Sequence, residues 1–245
     1  MKVLLNCDLG EGESAETTAA LLDLVDLANI ACGGHAGDEA TMQRVVRAAL
    51  ERGVQTGAHP GWPDRGNFGR VAAEVSARGL TALLEEQLGT FLRVVAAAGG
   101  RVGHVKLHGA LYHLCDERTD LAEACVDWME AELEGVPLIV GAGGLLHAVA
   151  EARGVPLLRE IFAERAYADE ARLLPRGEPG AVIADPEEAA ERIRAWIATG
   201  HLPVASGKLW LVEAETVCVH GDSPQAVAIA GAVRAAIRAA AQNVP

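Results

Sequence analysis

Seven times along the chain a short run rich in leucine and β-branched residues gives way to a longer, alanine-rich stretch. This alternation restricts the fold more than any other feature. The runs are Val3 to Asn6, Leu27 to Ala31, Val54 to Gly57, His104 to Leu107, Leu138 to Val140, Pro156 to Ile161 and Glu215 to Val219. Helical punctuation falls between them. Asp38 opens a stretch that Gly53 stops, Gly99-Gly100 ends the stretch from Leu80, Asp185-Pro186 opens one that Gly200 closes, and Ser223-Pro224 starts the last. Strands joined through helices lie parallel, because the helix carries the chain back to the same end of the sheet. With short linkers and no break in composition, residues 1–245 read as one α/β domain, a closed or nearly closed (β/α)7-type TIM-like barrel. An open doubly wound sheet shares this periodicity, and the placement of polar residues favours the barrel.

Those polar residues collect just after the strands. Asn6, Asp8 and Glu11 follow the first, and Asn29, His35 and Asp38 the second. The third is followed by His59 and Asp64, with Arg70 closing a Pro/Gly-rich loop, and the fourth carries Lys106 and His108. Glu160 ends the sixth, ahead of Glu164, Arg165 and Tyr167, and the seventh leads to His220 and Asp222. In a parallel barrel these ends share one face, where catalytic groups meet. Side chains two apart on a strand point the same way, which pairs Asn6 with Asp8, Lys106 with His108, and His220 with Cys218 and Asp222. A parallel strand buried on both sides should be apolar throughout, so polar groups there call for partners, water or a ligand.

Plainer readings stand beside these. Asp38 also reads as a helix N-cap and Asp222 as a turn acid. His147 and His201 read as surface residues, and His113 falls in a loop. Gly141, Gly143 and Gly144 either cradle an anion at a helix start or permit a tight turn. His35, His59, His108 and His220 each lie beside glycine or proline at a different strand end, which is harder to assign to packing. A divalent metal stays open: three histidine or carboxylate ligands form a catalytic zinc pattern, but no HxH or HExxH pair is present and Lys106 opposes a nearby cation. There is no GxSxG elbow, and activated water is favoured over a covalent intermediate, with Asp8 or a histidine as base.

A net charge of −13 argues against nucleic acid or an anionic membrane as partner. No apolar run approaches a membrane span, and the start meets polar residues too early for a signal peptide. Five cysteines without CxxC spacing fit free thiols in a reducing, cytoplasmic setting.

Six stretches together resemble the LamB/YcsF family: Asn6-Cys-Asp-Leu-Gly-Glu11, Ala28 to Asp38, Gly57-Ala-His-Pro-Gly-Trp-Pro-Asp64 with Phe68-Gly-Arg70, Val105 to Tyr112, Glu160 to Tyr167, and Cys218-Val-His-Gly-Asp222. They keep family order over nearly the whole chain. The resemblance implies a barrel of the glycoside hydrolase/deacetylase type. It also implies a subunit role in ATP-dependent 5-oxoprolinase, converting 5-oxo-L-proline to L-glutamate alongside separate B and C subunits, with ATP supplied through the complex. Departures are Gly34 where an aromatic is common, Leu107 for proline, Glu164 for aspartate and Val71 for a second arginine. No GxxxxGK[ST] loop is present, which leaves ATP chemistry to the partners. The expected division of roles has Asp8 or His108 activating water, Lys106 stabilising oxyanion charge, and Glu160 or Arg165 orienting substrate, with His35, His59 and His220 as further catalytic candidates. Asn6, Glu11, Asn29, Asp38, Asp64, Arg70, Tyr167 and Asp222 are expected to contact substrate. Alanine at Asp8 or Lys106 is expected to abolish turnover and leave the fold intact. Two alternatives remain: a stand-alone metal-dependent deacetylase or amidohydrolase, and a non-catalytic lactam-binding subunit.

Overall fold

The computed structural model describes residues 3–71, 74–169 and 172–242. Seven parallel strands close into a barrel: β1 (Leu4–Leu9), β2 (Leu27–Ala31), β3 (Gln55–His59), β4 (His104–Lys106), β5 (Leu138–Gly141), β6 (Leu157–Phe162) and β9 (Thr216–His220), with β9 pairing back to β1. Around them run α1 (Ala15–Leu22), α2 (Glu39–Glu51), α3 (Ala77–Ala97), α4 (Gly109–Glu117), α5 (Thr119–Glu132), α6 (Leu145–Arg153), α7 (Pro186–Thr199) and α8 (Ala226–Gln242). Between α7 and β9 the chain forms an antiparallel hairpin of β7 (His201–Pro203) and β8 (Leu209–Leu211). All seven expected strands are present, and closure excludes the open sheet.

Local chemistry sets the helix starts. The side chains of Ser14, Asp38, Ser76 and Asp185 accept backbone N–H groups in the first turns of α1, α2, α3 and α7. Helix α4 has no such cap and follows β4 almost without a linker, starting at Gly109 with φ +51°. It corrects the loop reading of His113, which lies on this helix. His201, read as a surface residue past a helix, is half-buried at the start of β7. The stretch 162–180, read as loop, is tied down by bridges Arg165–Val182 and Tyr167–Leu173.

Alternation sorts each strand. Leu5, Cys7 and Leu9 of β1 and Val217 and Val219 of β9 join the apolar core packed beneath the helices. The intervening Asn6, Asp8, Cys218 and His220 point into the barrel, and the register sets Asp8 beside Asn29 on one side and His220 on the other. The lower barrel is therefore a hydrogen-bonded polar lattice. Asn29 donates from Nδ2 to Asn6 Oδ1 (2.8 Å) and Asp8 Oδ1 (2.7 Å), accepts from His104 Nε2 (2.7 Å), and Asn6 donates to Thr216 Oγ1 (2.9 Å). Leaving one such buried group unpaired costs about 1–3 kcal/mol, so these residues hold one another in place. His104 fits because residue 57 is glycine; a Cβ there would fall 2.1 Å from its Nε2.

Candidate active site

At the C-terminal ends of the strands this lattice meets a cavity of about 420 Å³. Asp8, His59, Lys106, His108 and His220 line its base, and Arg70, Arg165 and Arg176 its rim. Buried between β1, β4 and β6, the Lys106 ammonium lies 3.0 Å from Asp8 Oδ1, 3.1 Å from Glu160 Oε2 and 3.0 Å from Cys218 Sγ. Burial alone disfavours its charge, yet Asp8, with Cys218 and Glu160, raises its pKa well above the ordinary value. Asp8 is likewise opposed by burial and held well below the carboxylate range by His59 and Lys106.

Three imidazoles converge beside this pair. His35 stacks flat on His108, ring centroids 3.6 Å apart, and His59 meets both edge-on. Glu11 Oε1 lies 2.7 Å from His35 Nε2, 3.2 Å from His108 Nδ1 and 3.7 Å from His59 Nε2. Burial lowers the pKa of His35 to about 4 and that of His108 below its ordinary value. For His59 burial pulls the same way but Asp8 outweighs it, and the pKa rises. Glycine makes the packing feasible: a Cβ at Gly61 would stand 2.2 Å from His35 Nδ1, and one at Gly69 2.6 Å from His35 Cβ. Ligand atoms of Glu11, His35, His59 and His108 all fall within 4.8 Å of one another, as do those of Asp8, Cys218 and His220.

On the opposite wall His220 directs Nδ1 at the Glu164 carboxylate, which also accepts the His220 backbone N–H at 2.7 Å. A carboxylate accepts only, so Nδ1 carries the proton and Nε2 is left bare. Arg165 is buried, with one guanidinium nitrogen donating to the Leu174 carbonyl at 2.6 Å. Its Nε has no partner among the described residues, and burial, with Arg176 nearby, lowers its pKa to about 10.

Not all candidates meet here. Asp38 is exposed and caps α2, accepting Thr41 N–H at 2.7 Å; it borders a neighbouring cavity of about 580 Å³ that Glu11 and His35 also line. Asp64 caps the 3₁₀ turn Arg65–Asn67. Asp222 is exposed and pairs with Arg70 at 2.6 Å, at the rim. The Tyr167 hydroxyl accepts the Phe162 N–H at 2.9 Å, a contact that fixes the loop after β6. The glycines at 141–144 do not leave a helix N-terminus open, because the Asp116 carboxylate accepts the Leu146 N–H at 3.0 Å. Sequence reasoning passed over Glu13, whose carboxylate accepts the N–H groups of Gly10 (2.7 Å) and Glu11 (2.9 Å) and shapes the loop presenting Glu11. It also passed over Gln87, which brackets Gly61 by donating to its carbonyl and accepting its N–H. Gln87 fills the space beside Gly34, where a Cβ would fall 2.5 Å from its Nε2.

The LamB/YcsF family profile matches residues 3–245. The A subunit of 5-oxoprolinase from Mycobacterium avium is 42% identical over 98% of this chain and 96% of that protein. Its counterpart from Heliobacterium modesticaldum is 41% identical over the same shares. Among solved structures, the lactam utilization protein from Thermus thermophilus superposes with a TM-score of 0.90 at 37% identity, covering 98% of each chain.

Proposed function

The chain belongs to the LamB/YcsF family, and from that premise we propose that it opens the activated ring of 5-oxo-L-proline as the A component of an ATP-dependent 5-oxoprolinase, working with B and C subunits. The observation that carries the reading is a pair of supported groups facing one cavity: His220 held by Glu164, and Lys106 held by Asp8 and Glu160.

A five-membered lactam is a stable amide, and phosphorylation of its carbonyl oxygen, at ATP's expense on a partner, makes the ring carbon open to attack. His220 is the base best placed to take a proton from the attacking water, with Glu164 stabilising the imidazolium that forms. This reassigns the role from Asp8 and His108. Asp8 already receives Lys106 and Asn29 and is a weak base, and the His108 ring is held between the Phe68 carbonyl at Nε2 and the Glu11–His59 cluster at Nδ1. Lys106 has three protons, given to Asp8, Glu160 and Cys218. Sulfur is the weakest of these acceptors, so the Cys218 bond is the one surrendered to an oxyanion. As the C–N bond breaks, the His220 proton passes to the ring nitrogen, leaving γ-glutamyl phosphate, whose acyl–phosphate bond a second water cleaves to give glutamate and inorganic phosphate. Arg165, on the wall of the same cavity, holds the substrate carboxylate.

In a reconstituted complex assayed for 5-oxoproline-dependent glutamate, His220→Asn is expected to lower kcat by roughly 10²–10⁴. Wild-type turnover in that variant would reject the assignment. The chain assayed alone, without ATP, tests a stand-alone amidohydrolase. Binding of 5-oxoproline with unimpaired turnover in the same variant would mark a carrier subunit.

A further inference from the structure

The geometry points to a resident divalent transition-metal ion held by His59 Nε2, His108 Nδ1 and Glu11 Oε1, with His35 steadying Glu11. Proton placement identifies the ligand atoms. His59 Nδ1 lies 2.7 Å from the Lys106 carbonyl, and His108 Nε2 2.9 Å from the Phe68 carbonyl. A carbonyl only accepts, so these nitrogens carry the ring hydrogens and the other two, His59 Nε2 and His108 Nδ1, present lone pairs. Those lone pairs face each other at 3.0 Å. Glu11 Oε1 adds a third acceptor, 3.2 Å from one and 3.7 Å from the other, and Asp8 Oδ2 a fourth, 3.4 Å from His59 Nε2. Four acceptors crowding one point repel unless a cation sits among them, either a proton on His59 Nε2 or a metal ion that displaces it.

The spacing suits such an ion. Metal–ligand bonds of about 2.0–2.1 Å at tetrahedral angles set ligand atoms about 3.3 Å apart, and the three separations of 3.0, 3.2 and 3.7 Å bracket that value. Imidazoles whose outer N–H groups are committed to carbonyls are also the usual support for metal-binding histidine. His35 Nε2, 2.7 Å from Glu11 Oε1, is too close to share the ion with it and instead donates to that carboxylate. Formal charge agrees. Asp8, Glu11 and Glu160 are buried against one ammonium, Lys106, which leaves the cluster short by the charge of a divalent cation. Lys106 does not compete, because it occupies Asp8 Oδ1 while His59 faces Oδ2. Imidazole with carboxylate selects zinc, cobalt, manganese or iron(II) over magnesium or calcium. Since His59 and His108 also line the main cavity, such an ion supplies Lewis acidity to an oxygen bound there. That role rests on the lactam-opening reading; the binding itself does not.

The test is titration of the chelator-stripped full chain with Co²⁺ alone, following visible absorption, with metal analysis of the protein as purified. One Co²⁺ per chain with d–d bands of a low-symmetry site is expected. Binding should vanish in His108→Ala and in His59→Asn, and weaken roughly 10- to 100-fold in His35→Ala. Asp38→Asn should bind like wild type, and circular dichroism should show each variant folded. Absence of Co²⁺ binding, or binding that survives in a folded His59→Asn/His108→Ala double variant, overturns the proposal. Turnover of the complex that resists chelation yet is lost in His220→Asn would remove the metal and leave the lactam reading standing.

Discussion

Lys106 shows what a single buried charge holds together. Its ammonium is about 2% exposed and satisfies two carboxylates, so truncation strands both buried carboxylates at the base of the cavity. Breaking a buried pair by removing one partner costs about 3–5 kcal/mol. Lys106→Met is therefore expected to lower the unfolding free energy of the free chain in urea by that amount. Adding Asp8→Asn should recover part of the loss, and a loss in the double variant equal to the sum of the singles would deny the coupling. Glu164→Gln, which keeps the shape but not the charge behind His220, should lower kcat with little change in KM. The residue types were legible in the sequence because Asp8, Lys106, His59, His108 and His220 sit at strand ends where packing asks for apolar groups. Glu13, Gln87, His104 and Glu164 act through loop closure or contacts between distant elements, which neither spacing nor alternation encodes.

At the scale of elements, α6 receives its first turn from another helix. Asp116 of α4 accepts the Leu146 N–H, and a Cβ at Gly144 would fall within 2.5 Å of the same carboxylate, which accounts for one glycine of the run. The sequence offered anion cradle and tight turn as open readings, because the protein's own anion comes from a helix it did not announce. Burial raises the Asp116 pKa to about 6. A carboxyl whose folded pKa is raised opposes folding once ionised, so stability falls as pH rises from about 4 to about 6. Asp116→Asn retains a cap oxygen and removes the titration. Its melting temperature should gain on wild type across that window, and a parallel pH profile would refute the assignment. Strand positions were readable from composition, whereas the β7–β8 hairpin was not: its strands are three residues each, too short to show a period.

The barrel as a whole encloses polar groups in place of layered aliphatic side chains, and acid should expose that choice. His104, buried beside Asn29, has its pKa lowered to about 3, first by burial and then by Lys106. An unfolded histidine protonates near 6.5, so below that pH the unfolded chain binds a proton the folded one refuses, at about 1.4 kcal/mol per pH unit. His59, its pKa raised, works in the opposite sense and loses its contribution as pH rises. Chemical melts of His104→Asn between pH 4 and 6.5 should be flatter than wild type by close to one proton; an unchanged slope would place the acid sensitivity elsewhere.

The carbonyls that hold His59 and His108 belong to the main chain, at Lys106 in a strand and at Phe68 in a left-handed turn with φ 56°. Which ring nitrogen bears hydrogen is thus dictated by the path of the polypeptide and is deaf to the identity of residues 68 and 106. Imidazole ¹⁵N resonances should keep their tautomeric signature in Phe68→Leu and lose it in Gly69→Ala, where the added methyl meets His35 and bends the turn away.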